Sequence, residues 1–328
     1  MTAHHYALVE ALARAATLAD GHELLHASLL DALVSMAPET AELAGLRPCA
    51  TTAGLTPTTL PAHGWVRVRC LGTCRLLVDG RPAEPCRSNK ALALFLYLVH
   101  NRTRTSSRDA LLDALWPQGE ARAPASSLHV AAHALRQYLS NLGIGRDVLA
   151  LETRGSGYRL RASALWLDVE AFARARALGA RLERHGHTDE ALAAYTRAAD
   201  LYQGDFLPDE CADWATFRRE ALRDQYLAVL ARLSELALVA GDYRACLEYC
   251  ERALEHDPYG EHVYRTLVLC HGMLSQRSRA RWWYERCVRV LHADLDVEPQ
   301  PETVRLYARV MFGEIAAVTV PAGIQNKD

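Results

Sequence analysis

Along the stretch SSLHVAAHALRQYLSNL, Ser126 to Leu142, hydrogen-bonding side chains recur on one side of a would-be helix. Leu128, Ala131, Ala132, Leu135, Leu139 and Leu142 fall at helical spacing and form an apolar stripe. The other side holds Ser126, Ser127, Val130, His133, Ala134 and Gln137, with Arg136 at its margin. Small side chains let a backbone come close to a surface, and a few donors and acceptors can then read the edges of bases. An ordinary amphipathic surface helix would show the same pattern. His129 and His133 stand four apart, as metal ligands on a helix can, but no third ligand is near in sequence and no metal is expected. Cys246, Cys250 and Cys287 fit buried thiols better than a metal or redox cluster. Cys70 and Cys74 are open to either a redox or a plain thiol reading. No cofactor is called for.

The elements that would position that helix can be read from the flanking sequence. WVRVRC from Trp65 alternates as a half-buried strand does, Leu76–Val78 is a second strand, and Asp79-Gly80 suits the hairpin turn between strands. Ala83–Cys86 can return as a third strand. Ser88 is an N-cap for NKALALFLYLVH. Thr105, Ser106 or Ser107 can cap DALLDALW, and Ser106 with Asp109 has the spacing of a capping box. After the quoted helix come strands at Val148–Thr153 and Tyr158–Arg161, reversed through RGSG. Three helices followed by a β-hairpin is the winged helix-turn-helix order, in which the third helix lies in the major groove.

From Trp166 to about Glu314 the sequence reads as helical throughout. GDYRACLEYCERALEHDP from Gly241 repeats 34 residues later as SQRSRARWWYERCVRVL, the period of tetratricopeptide repeats. GHTDEALAAYTRAADLY from Gly186 is an earlier unit, displaced by an insertion holding YQGDFLPDECADWATF. Such units stack into a solenoid, and Val304–Ile315 can cap its end. In the repeat phase Trp283 matches Tyr249 and Trp282 matches Glu248, so Trp283 is expected in the core and Trp282 outside, where it can bind a partner.

The 328 residues are half apolar with a net charge of −2, as in a globular chain. That average hides an asymmetry. Trp65–Arg161 carries fifteen Lys/Arg against seven Asp/Glu, a net of +8, which leaves about −10 elsewhere. A basic segment attached to acidic ones suggests a polyanion-binding module. Nine cysteines without CxxC spacing fit a reducing, cytoplasmic setting. MTAHHYALVEAL lacks a basic stretch before an apolar core, so no secretory leader is expected. Ala91–Val99 is too short to span a membrane.

The order and spacing of several pieces carry a resemblance. LLVDGRPAEPCRSNKALALFLYLVHNR, SRDALLDALWP, SLHVAAHALRQYL and GSGYRL stand in the first part, and LYQGDFLPDE, WATFRREALRDQYLAVLARLSELALVAGDY and DLDVEPQPETVRLYARV in the second. From Trp65 to Glu314 the chain resembles activators of the Streptomyces antibiotic regulatory protein type. These join an OmpR-like winged helix to a bacterial transcriptional activator domain of tetratricopeptide-like repeats. The resemblance implies a mainly α fold with small β-sheets. It implies a non-enzymatic regulator that binds double-stranded promoter DNA, contacts RNA polymerase, and can pair as a homodimer on DNA. By the same resemblance Ser127, Val130, His133 and Arg136 lie on the base-reading and phosphate face, and Arg154, Tyr158 and Arg159 in the wing. Many relatives have Arg-Asn or Asn-Asn before the leucine matching Leu128, where this chain has Ser126 and Ser127. Gln137 also stands where Arg is common. Fewer cations mean fewer phosphate contacts and a shallower salt dependence.

The expected domains are a helical N-terminal segment of unknown role at 1–46, a linker at 47–63, and a winged helix at 64–163. An activator domain at 164–316 and a tail at 317–328 follow. Residues 62–163 are expected to fold and bind DNA alone. The rival reading is a repeat scaffold whose winged helix no longer binds DNA, although a scaffold has no need of the +8 segment. An enzyme is expected to find no GxxxxGK[ST], GxSxG, HExxH or GxGxxG on which to rest.

Overall fold

The computed structural model describes residues 65–116 and 124–315, so the helices expected within 4–45, the linker at 47–63 and the tail at 317–328 lie outside it. By internal contacts, the described residues from Val66 onward belong to one compact unit. Strands β1 (Val66–Arg69), β2 (Arg75–Val78) and β3 (Arg81–Pro82) form an antiparallel meander. Asp79 and Gly80 turn it, both at positive φ. The third strand is therefore shorter and earlier than Ala83–Cys86, because the two-residue turn starts the return at Arg81.

Helix α1 (Asn89–His100) starts where Ser88 Oγ accepts a hydrogen bond from the Ala91 amide. Helix α2 (Arg108–Leu115) is capped by Ser107, not Ser106. Ser106 is buried in the short strand β4 (Ser106–Ser107). Helix α3 (Pro124–Asn141) follows, then β5 (Leu149–Arg154) and β6 (Gly157–Ala162). The strand order β4-β6-β5 makes the wing sheet. Gly157 is required there, since a Cβ on it would stand 2.2 Å from the Ser106 carbonyl oxygen.

The sequence reading misses β7 (Leu165–Leu167), which pairs parallel with β1 and completes the sheet β3-β2-β1-β7. Three residues are too few for a period to show. The remaining helices are α4 (Asp168–Arg184), α5 (Thr188–Leu201), α6 (Asp213–Val239), α7 (Tyr243–His256), α8 (Glu261–Met273), α9 (Arg277–Leu295) and α10 (Pro301–Phe312). They pack as the pairs α4–α5, α6–α7 and α8–α9, with α10 against α8 and α9. The residues that match in the repeat phase, Gly186, Gly241 and Ser275, all have positive φ at the turn within a pair. Glycine enters that region freely, whereas serine there is strained.

The insertion between α5 and α6 joins the two halves of the unit. Leu71 bridges Phe206, the Gly72 amide donates to the Asp205 carbonyl, and the Leu207 amide donates to the Cys70 carbonyl. The Arg219 guanidinium clamps this loop by donating to the Phe206, Leu207 and Glu210 carbonyls. The buried Asp168 carboxylate accepts from the Cys70 and Leu71 amides at 2.7 and 2.8 Å. Burial raises the Asp168 pKa even though three backbone amides favour its charged form. Arg102 grips Glu170 with both terminal nitrogens, and Tyr97 meets Trp214 edge to face.

Candidate nucleic-acid interface

Helix α3 buries Leu128, Ala131, Ala132, Leu135 and Leu139 against the core, and Leu142 just beyond it is half-buried. That burial turns the opposite side to solvent. Ser126, His133 and Gln137 are exposed, Ser127 is half-buried, and Val130 is 69% exposed. An isopropyl group held in water gains nothing from the monomer, whereas a thymine methyl offers it an apolar contact. The helix is tied at both ends. Near its C-terminus the Tyr138 hydroxyl donates to the Glu84 carbonyl at 3.0 Å, and burial pushes that phenol up to about 12.

Near its start a relay crosses three elements. Arg108 of α2 donates to His129 Nε2 at 3.0 Å, and His129 Nδ1 meets the Tyr158 hydroxyl at 3.2 Å. Arginine can only donate, so Nε2 must accept and Nδ1–H must donate. Both ring nitrogens of His129 are thereby committed to protein partners. Among the described residues no group of His, Cys, Asp or Glu has the arrangement of a metal site.

The wing residues differ from expectation in two respects. Tyr158 is only 2% exposed, so its ring supports the interface from beneath and is not part of its surface. A tyrosine facing inward on β6 buries its ring between α3 and the sheet and keeps its hydroxyl bonded to His129. Arg136 lies over that ring at 5.7 Å and donates to Thr153 Oγ1 at 2.9 Å, bracing α3 to β5. Arg154 is exposed but paired with Glu152 at 2.9 Å, and Arg161 reaches the same carboxylate at 3.1 Å. Arg159 is exposed and makes no ion pair among the described residues. The structure therefore brings Ser126, Ser127, Val130, His133 and Gln137 onto one helix face, with Arg136, Arg154 and Arg159 at the wing.

Comparison with known proteins decides the family. Residues 86–160 match the family described as Transcriptional regulatory protein, C terminal, and residues 167–311 match the Bacterial transcriptional activator domain. The chain belongs to the Streptomyces antibiotic regulatory protein family of transcriptional regulators. Like other members of this family it is a regulator and not an enzyme. It is 27% identical to the transcriptional regulatory protein MoaR1 of Mycobacterium tuberculosis over 76% of this chain and 80% of that one. With the regulatory protein AfsR of Streptomyces coelicolor it shares 28% identity over 79% of this chain, which spans 25% of AfsR. The solved structure of M. tuberculosis EmbR in complex with a low-affinity phosphopeptide superposes with a TM-score of 0.62 at 25% identity. That match covers 75% of this chain and 65% of EmbR. Among the described residues no helix is long and apolar enough to cross a membrane.

Sequence reasoning passed over several residues of this family member. Arg108 meets His129 across 21 residues of sequence, and Glu152 holds Arg161 across the β5–β6 pair as well as its near neighbour Arg154, so no local spacing announces the role of Arg108 or the Glu152–Arg161 pair. His22-Glu23-Leu24-Leu25-His26 has HExxH spacing, which places two imidazoles and a carboxylate on one side of a helix. The expectation that the chain holds no HExxH is therefore wrong. It lies outside the described residues and outside both matched segments.

Proposed function

We propose that this regulator is a DNA-binding transcriptional activator whose α3 enters the major groove of promoter DNA while the β5–β6 wing follows the phosphates. The observation that carries this reading is the solvent-facing set Ser126, Val130, His133 and Gln137, which lies directly opposite a fully buried stripe. Ser127 lies at the margin of that face. Arg154 and Arg159 are the phosphate contacts, and Arg136 and Tyr158 hold the helix against the wing. The local excess of fifteen Lys/Arg over seven Asp/Glu supports attraction to a polyanion. The repeat domain is the partner platform, with Trp282 on its surface and RNA polymerase or a second copy of the chain as the partner. Such a regulator acts in the cytoplasm, where the chromosome is.

Two variants of the full chain test the DNA reading, compared on specific and scrambled duplexes. His133→Ala is expected to cost roughly 1–3 kcal/mol on the specific site and to relax selectivity. Arg159→Ala is expected to weaken all duplexes about equally and to lower the salt slope by about one. Equal losses on both duplexes for both variants would remove His133 from base reading. A folded chain that retards no duplex at low salt would overturn the proposal.

A further inference from the structure

Arg279, Trp282, Arg286 and Arg289 recur on α9 at intervals of three, four and three residues. That interval pattern is the seam by which one helix packs along another. Trp282 is 44% exposed, whereas its neighbour Trp283 is buried. The Arg286 guanidinium lies 5.5 Å from both indole rings, which holds the Trp282 ring in place at the surface. Among the described residues none of Arg279, Arg286 and Arg289 forms an ion pair with a carboxylate. The face also carries the exposed Glu285, and Glu251 stands beside Arg279 in the adjoining recess.

We propose that this face of α9 docks an acidic amphipathic helix of a partner protein. The proposal rests on the reading of the repeat domain as a partner platform and names the chemistry of that partner. An exposed tryptophan fixed between cations is an anchor for an apolar side chain, and the arginines on either side select carboxylates around it. The spacing favours a helix, because an extended peptide presents side chains every second residue and would meet this ladder out of phase. The surroundings favour a protein over DNA. Residues 168–315 hold 19 arginines and 25 Asp/Glu, while α9 alone has five arginines against Glu285 and Asp294. A duplex laid on this cationic island would meet the surrounding carboxylates, whereas a single helix covers only the stripe.

The test uses the full chain and a labelled synthetic helix with leucines at the seam spacing and flanking glutamates. The controls are a twin peptide with lysines in place of the glutamates, and a mixed-sequence DNA duplex. The glutamate peptide is expected to bind, and the lysine twin not to. Trp282→Ala and the double variant Arg279→Glu with Arg289→Glu should each weaken binding by about tenfold or more. The double variant should then prefer the lysine twin, a reversal that loss of folding cannot produce. Melting curves like the unmutated chain's are expected, because all three side chains are exposed. Equal binding of both peptides, or an unchanged affinity in the double variant, would overturn the proposal. So would a loss on the duplex with none on the peptide, which would make α9 a nucleic-acid face. A chain that binds the glutamate peptide but retards no duplex would support this proposal while removing the DNA-binding reading.

Discussion

Glu152 sets how much positive charge the wing presents. Its carboxylate holds both Arg154 and Arg161, so under the proposed DNA-binding function phosphates compete with it for two of the wing's cations. Glu152 is half-buried but both arginines are open to water, and a pair so screened is worth little, about 0.2–1 kcal/mol, so exchange is cheap. Glu152→Gln should strengthen binding to any duplex by roughly two- to fivefold at low salt and steepen the salt dependence. Retardation across a salt series measures both, and an unchanged slope would place Arg154 and Arg161 away from the phosphates. The relay through His129 acts at the same scale. Tyr158→Phe keeps the ring beneath Arg136 but removes the hydroxyl, leaving His129 Nδ1–H without its acceptor. The expected cost is about 0.5–1.5 kcal/mol in denaturant unfolding.

Two adjacent tryptophans show how a helix sorts its faces. Successive positions lie about 100° apart, so Trp282 and Trp283 cannot share one side. The repeat phase placed Trp283 inward, and it is 7% exposed against 44% for Trp282. Trp283 Nε1 donates to His271 Nε2 at 3.2 Å, and His271 Nδ1 meets Gln276 Oε1 at 2.8 Å. Trp283→Ala leaves both a cavity and an unpaired imidazole nitrogen, at an expected cost of roughly 3–5 kcal/mol. Trp282→Ala should leave the melting temperature nearly unchanged, preserve DNA binding and lower transcription from a reporter. Thermal melts of the two variants decide whether the helix phase is correct.

The winged helix and the first repeats are joined by a shared core. His100 lies in that junction, edge to face with Phe206 at 4.8 Å, and neither ring nitrogen has a hydrogen-bond partner. Burial first, then Arg218 and Arg102, lowers its pKa from 6.5 to about 3. The folded pKa lies below the unfolded one, so between those values the unfolded chain binds a proton that the folded chain refuses. The stabilisation is fully present above 6.5 and falls as the pH drops toward 3, by at most about 1.4 kcal/mol per pH unit. Urea midpoints at several pH values should show this slope, and His100→Phe should flatten it. An unaltered slope in that variant would mean that other groups carry the acid sensitivity. The same junction bears on the 62–163 fragment. A cut there removes β7 from the edge of β1 and the Asp168 carboxylate from two buried amides. The fragment is expected to melt roughly 10 °C or more below the full chain.

Local chemistry determined much of this protein from the sequence alone. The stripe on α3, the Ser88 cap, the Asp79-Gly80 turn and the phase linking Gly186, Gly241 and Ser275 all act within a few residues, and each leaves a pattern that can be counted. The helix face offered to solvent was legible for the same reason, since burial of one side leaves the other outside. Tertiary structure alone decided which polar groups meet. Asp168 reaches the Cys70 amide across 98 residues of sequence, and Arg108 reaches His129 across 21. Glu152 gains Arg161 beside its strand neighbour Arg154, and Tyr158 turns inward, only once β5 and β6 have paired and α3 has packed on them. Hydrophobic periodicity records which side of an element is buried, but it carries no information about what lies on the far side of the core.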